Sequence, residues 1–245
     1  MKITIKYLLP AILLSGLAAC RSKPPKAAER SKSLIDSNSG QTTHRPSSGT
    51  IANQSANLNF IEYLDDGDYF QLLAEKNKDT FVFINDIDSG RALLRGDHIQ
   101  VKYKDSTLTV AGDNDSPMPA SILVSIKKTG DGPVSLFRKG YGKKLKYTWP
   151  ADKEYSSSYL DKIYLITEYY LSKTKNPLLQ MAIRNRQELT YSIEPHERNH
   201  QHYTMIGIAP VGPNGSLVVQ WLYIAEDTNR LYEYDLPEDK LLPFN

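Results

Sequence analysis

The chain holds a single cysteine, Cys20, among 245 residues. That excludes an intrachain disulfide framework and any cysteine-rich metal site. It also lacks a run of about 20 apolar residues, the length a helix needs to cross a bilayer core. The apolar stretch from Tyr7 to Ala19 is shorter and is interrupted by Pro10, Ser15 and Gly16. Net charge is nearly absent as well, with 30 Lys and Arg against 28 Asp and Glu. The electrostatic footprint of a phosphate binder is therefore missing, and no nucleic-acid partner is expected. Neither a G-x-S-x-G elbow nor a phosphate loop is present, which removes the commonest signatures of serine hydrolases and nucleotide-binding enzymes.

What is present begins at the amino terminus. Lys2 and Lys6 precede the apolar stretch, and small residues end it, the layout of a secretory signal peptide over residues 1–19. Leu17, Ala18, Ala19 and Cys20 resemble the lipobox of bacterial lipoproteins. The resemblance implies cleavage before Cys20, lipidation of its sulfur and acylation, palmitate included, of the new amino terminus. Several acyl chains hold a protein to a membrane where one does not. The implied location is the bacterial cell envelope, facing away from the cytoplasm. Arg21 after the cysteine, rather than aspartate, implies the outer membrane where the cell has one. In that reading Cys20 is not available as a nucleophile.

Residues 20–57 are expected to form a disordered tether. Arg21 to Asn57 is rich in Ser, Lys, Pro, Gly, Asn, Thr and Gln and offers almost nothing to bury, so it cannot offset the entropy of ordering. It carries six bases and two acids. Everything from Leu58 onward has 22 bases and 26 acids, so charge is segregated along the chain.

Residues 58–150 are predicted to be β-rich. Phe81 to Ile84 form a short apolar run, Ile99, Val101 and Tyr103 alternate with polar residues, and Leu108 with Val110 does the same. Ile122, Val124 and Ile126 are expected on one face of a further strand. Turn clusters at Asn85 to Gly90, Gly112 to Pro119 and Gly130 to Pro133 separate them. Short strands at this spacing suggest an antiparallel barrel or sandwich. The pattern around Gly96, Asp97 and the following strand is similar to the small five-stranded barrels of the oligonucleotide/oligosaccharide-binding type.

Residues 151–245 change period. From Tyr159 to Leu171 apolar residues recur at three and four, which predicts a helix capped near Ser158 and Asp161 and stopped before Pro177. Leu178 to Ile183 suits a second short helix. Strands are expected at Leu189 to Ile193, Ile206 to Ile208, Leu217 to Ile224 and Arg230 to Tyr234. The fold class expected is α+β: an antiparallel barrel or sandwich, then a helix packed on a roughly four-stranded antiparallel sheet. That layout is similar to cystatin-like and related helix-on-sheet domains of bacterial envelope proteins.

One constellation could carry chemistry. His196, Glu197 and His200 spell H-E-x-x-H, with His202 following. On a helix the spacing would set two imidazoles toward a zinc ion and leave Glu197 as base, with Glu226, Asp227, Glu233 or His202 open as the third ligand. Pro195 and the strand-like flanks point instead to a polar hairpin loop, so no cofactor is expected unless zinc binds His196, His200 and His202. Asp86, Asp88 and Asp97 fit a calcium loop poorly, since Arg91 stands where glycine is needed. Arg95, Gly96 and Asp97 spell an adhesion tripeptide. The bases Arg138, Lys139, Lys143, Lys144 and Lys146 suit a linker between the halves. Twelve of the sixteen tyrosines lie from Tyr141 onward, which suits contact surfaces, Tyr155, Tyr159 and Tyr203 above all, while Tyr164, Tyr170, Tyr223 and Tyr232 fit core or sheet positions equally well.

Together these features predict a membrane-anchored envelope lipoprotein whose body is a non-catalytic binding or assembly module. The membrane is engaged through Cys20, and an envelope protein or a glycan is the expected partner. A zinc-dependent hydrolase and an inhibitor or immunity protein for an envelope enzyme are the alternatives.

Overall fold

The computed structural model describes residues 53–65, 67–109, 117–213 and 215–244. The expected signal peptide, Cys20 and all but the end of the expected tether lie outside the described residues.

The first half closes on itself. Strands β1 (Gln54–Leu64), β2 (Gln71–Lys76), β3 (Asp79–Ile84), β4 (His98–Thr109) and β5 (Pro117–Gly130) form a closed barrel in the order β1-β2-β3-β5-β4. All neighbours are antiparallel except β3 and β5, which run parallel. The period of two drives one residue in two inward. Leu58, Phe60, Leu72, Ala74, Phe83, Ile99, Val101 and Leu123 are buried in one cluster. Asn77 and Lys78, at φ of 54° and 76°, make the tight turn that joins β2 to β3.

Strand β5 departs from the expected phase. Tyr103 faces Leu123 but Lys102 faces Ser125, so Val124 is the extra residue of a bulge. Leu123 is buried and Ile126 packs on the same core, while Val124 is turned out.

The second half is one sheet backed by helices: α1 (Pro133–Tyr141), β6 (Lys146–Thr148), α2 (Ser157–Lys173), α3 (Pro177–Arg184), β7 (Leu189–Arg198), β8 (Gln201–Gly212), β9 (Gly215–Ser216), β10 (Gln220–Ala225), β11 (Leu231–Asp235) and β12 (Lys240–Pro243). The sheet runs β12-β11-β10-β8-β7-β6, with β9 paired to β8. Phe137 and Tyr141 of α1, Ile163, Tyr170 and Leu171 of α2, and Leu179 and Ala182 of α3 pack on Tyr191, Ile193, Ile206, Ile208, Leu222 and Ile224. Ser156, not Ser158, caps α2 by accepting the Tyr159 N–H. Asn176 caps α3 and Pro177 starts it. Among the described residues no helix is long and apolar enough to cross a membrane.

The expected fold class is corrected by this architecture. Strands hold 49% and helices 19% of the structure, in a closed five-stranded barrel and a seven-stranded sheet with three helices. An α+β body of one helix on a four-stranded antiparallel sheet is not what forms. The physical reasons are local. The basic stretch from Arg138 to Lys146 looks like a linker, but it overlaps α1, whose period puts Val134, Phe137 and Tyr141 inside and leaves Arg138 and Lys139 outside. Strands β6 and β12 are short, exposed edges with no apolar pattern to reveal them. Moreover β6 runs parallel to β7, so the sheet is mixed.

A buried carboxylate ties the barrel to α1. Asp97 accepts from the backbone N–H of Leu94 and Gly132 at 2.9 and 2.8 Å, from the Ser135 hydroxyl at 2.6 Å, and from Lys128 Nζ at 2.7 Å. Burial pushes its carboxyl up, but the Lys128 ammonium, the Ser135 hydroxyl and the two N–H groups outweigh that, and the net shift is downward. The backbones meet here too: a Cβ at Gly132 would stand 2.1 Å from the Gly96 carbonyl carbon. Arg95 lies over the Tyr169 ring of α2 at 4.3 Å. The tripeptide Arg95-Gly96-Asp97 is thus an internal fastening, with Asp97 fully buried rather than offered to an adhesion partner.

Candidate functional site

The barrel is closed unevenly. Strand β2 pairs with β3 at six positions, from Gln71↔Ile84 to Lys76↔Asp79. Strand β5 meets β3 at one, Ile84↔Ile122. A groove of about 420 Å³ lies along this seam. Val82 and Ile84 of β3 line it, as do Met118 to Ser121 of β5; Asp105, Ser106 and Leu108 of β4 and Tyr69 and Gln71 at the start of β2 complete it.

The lining is apolar with a few polar groups set among it, the usual make-up of a ligand site. Val82 and Met118 are 48% and 44% exposed, high for large apolar side chains on strands. Among the described residues Asp105 supplies the one carboxylate. It accepts from Gln54 Nε2 at 2.5 Å and from the Ser121 hydroxyl at 3.3 Å, and Gln54 in turn accepts from the Tyr103 hydroxyl at 2.9 Å. Arg91 reaches Asp65 at 2.6 Å and Asp88 at 2.5 Å and lies over the rings of Tyr63 and of Phe70, the chain neighbour of the lining residues Tyr69 and Gln71. Buried Asn85 holds the loop after β3 by bonding the backbone of Ser89 in both directions, and its own N–H donates to the Phe70 carbonyl. These contacts fix the rim. Asp86 and Asp88 sit in this loop with no calcium-loop geometry.

Sequence reasoning missed these residues, although two signals were legible. Phe81 to Ile84 is apolar at four successive positions, so both faces of β3 are apolar and one of them cannot reach the core. Pro117 and Pro119 flank Met118 inside a strand, and proline in a strand marks an edge.

The H-E-x-x-H stretch lies on a hairpin, not a helix. His196, Glu197 and Arg198 end β7, Asn199 and His200 form a two-residue turn at φ of 52° and 62°, and His202, the second residue of β8, lies opposite Glu197. The His196 ring meets the edge of Tyr223 at 5.2 Å, within a cluster that includes Tyr203, Tyr232 and Tyr234. His200 is wholly exposed at the tip, 3.9 Å from Glu197. A depression of about 240 Å³ is lined by Pro195, His196, Glu197, His202, Tyr203 and Glu226, and His200 is not part of it. Among the described residues no three His, Cys, Asp or Glu side chains are placed to hold a metal ion. The hairpin thus leaves His200 apart from the depression that His196 and His202 line.

The same hairpin explains the helix-free face of the sheet. Arg198 donates to the Asp239 carboxylate at 2.8 Å and its carbonyl at 2.7 Å, and the Tyr234 hydroxyl donates to Asp239 at 2.7 Å. The Arg198 guanidinium holds the Asp239 carboxyl below the usual carboxylate range. With β7 and β8 fastened to the β11–β12 turn, Tyr203 and Tyr223 are buried between them. The Trp221 ring lies across Gly207, where a Cβ would stand 2.5 Å from it. Most of the late tyrosines are therefore packing, not contact surface.

No family model and no curated protein matches the chain. Among solved structures it is similar to the mitochondrial single-stranded DNA binding protein Rim1 of S. cerevisiae, at 11% identity and a TM-score of 0.26 over 34% of this chain and 97% of that one. It is also similar to the aspartyl tRNA synthetase of Entamoeba histolytica, at 10% identity and a TM-score of 0.26 over 78% of this chain and 58% of that one. A murine DNA binding protein solved with double-stranded DNA follows at 7% identity and a TM-score of 0.19, over 78% of this chain and 92% of that one. Two of these are DNA binding proteins, and the expectation that nucleic acid is excluded as a partner is corrected: near-neutral charge alone does not exclude it. At these scores the likenesses supply no argument for such binding either.

Proposed function

We propose that the chain is a lipid-anchored protein of the bacterial envelope whose body binds a ligand, without catalysis, in the seam groove of the barrel. The groove is the observation that carries the binding half of this reading. It is concave and apolar, its rim is braced by Arg91 and Asn85, and Asp105, Ser106, Gln71 and Ser121 set a few polar groups among apolar walls. Its length along two strand edges suits an extended ligand rather than a compact one. The anchoring half rests on Leu17, Ala18, Ala19 and Cys20.

The two halves are tested separately. Cells expressing the full chain are fed an alkyne fatty acid; label is expected on the parent and not on Cys20→Ser, and equal label on both would end the anchoring reading. For binding, immobilised full chain is screened with extended peptides, oligosaccharides and single-stranded oligonucleotides beside the Val82→Lys/Met118→Lys double variant. Both positions are exposed, so folding is expected to survive. A ligand retained by the parent and weakened about tenfold or more by the double variant is the result expected. If every ligand found is held equally by both proteins, the groove is not the site.

A further inference from the structure

We propose that the seam groove captures an extended peptide segment, which adds as a strand along β3. The inference rests on the groove being the binding site and names the class of its ligand.

Strand β3 is paired on one side throughout but on the other only at Ile84. Between Asp79 and Phe83, alternate residues therefore direct backbone N–H and C=O groups into the seam, where no strand among the described residues receives them. The facing wall differs. Pro117 and Pro119 of β5 lie opposite Thr109 and Thr107 of β4 in an intact ladder. Proline is tolerated in a paired strand only where its nitrogen faces away from the partner, here toward the seam. The β5 wall thus offers few donors and an apolar surface in Met118, while the β3 wall offers both donors and acceptors. A ligand strand would pair with β3 and lay alternate side chains on Val82, Ile84, Leu108 and Met118.

Charge selects the same class. Among the described residues Asp105 is the one charged side chain in the lining. A peptide with apolar side chains at alternate positions and a lysine or arginine placed for Asp105 satisfies the walls and the carboxylate together.

The test uses the full chain and a library of short peptides with Val or Ile at alternate positions and the rest varied. Binders are selected on the parent and counter-selected on Val82→Lys/Met118→Lys. Each is then remade with N-methyl groups on every second residue, in one phase and then in the other. A strand added to β3 uses the N–H groups of one phase only, so methylation in that phase is expected to weaken binding about a hundredfold or more and in the other phase by less than about threefold. Asp105→Asn is expected to weaken lysine-containing binders selectively. Equal loss in both phases, or in neither, overturns strand addition. If oligosaccharides or single strands are held in a groove-dependent way and no peptide is, the peptide inference fails while the groove stands. If no ligand is groove-dependent, both fail.

Discussion

The barrel and the sheet that follows it spend their apolar residues differently. In the sheet, the helices cover one face and the fastened hairpin β7–β8 closes over the other, so even Tyr203 and Tyr223 end buried. In the barrel, β3 and β5 meet at one residue pair, and Val82 and Met118 remain in the open. Apolar surface in the sheet is used for stability. In the barrel, part of it is kept free along an incompletely paired seam, the arrangement from which a binding site is made.

Substitutions can break that contrast. The largest effect is expected at the junction on which both regions depend. Gly132→Ala drives a methyl group into the Gly96 backbone and should cost at least about 3 kcal/mol, read by urea unfolding. Asp97→Asn keeps the shape but removes the charge that Lys128 faces, at about 2 to 3 kcal/mol after allowing for the partial exposure of Lys128. The loss should depend on pH. Because the folded-state pKa of Asp97 is lowered, its stabilisation is complete above the unfolded value near 4 and disappears as pH falls through the folded one. Parent and Asp97→Asn should therefore converge in stability as pH falls below the unfolded value and through the lowered folded one. A constant gap from pH 7 downward would show that the carboxylate charge is not what stabilises.

Within the two regions the contrast becomes a pair. Tyr223→Ala removes a buried ring and should cost about 3 to 4 kcal/mol, whereas Val82→Lys on the open wall should change stability by about 0.5 kcal/mol or less. A large loss from Val82→Lys would make that wall packing rather than site. The smallest effect concerns metal. Since the hairpin does not assemble His196, His200 and His202 around one point, a chelator should leave the melting temperature unchanged, and one equivalent of zinc retained by the parent but lost in His196→Ala/His200→Ala would contradict this.

Much of the barrel was legible because short strands advertise themselves through alternation. Ile99 and Val101 read inward and are inward. The face of β5 was not, because one extra residue, Val124, reverses the phase and nothing local marks a bulge. Helix α2 was plain from its period, while α1 was hidden by its basic surface and by Gly140. For the candidate site the outcome is similar. The histidine motif was conspicuous as spacing, but spacing acquires meaning only with secondary structure, and two residues at positive φ turned it into a hairpin. The groove had no motif at all. It arises because β3 and β5, distant in sequence, pair too briefly to seal the barrel, and such pairing is decided by tertiary closure.

Hydrogen exchange of the free, full chain, resolved to single amides, tests the central claim most directly. The account expects alternate amides of β3 between Asp79 and Phe83 to exchange orders of magnitude faster than those of β10, which is paired on both sides by β8 and β11. Uniform protection along β3, equal to that of β10, would mean that the seam is sealed, and the groove would lose its claim to be the site.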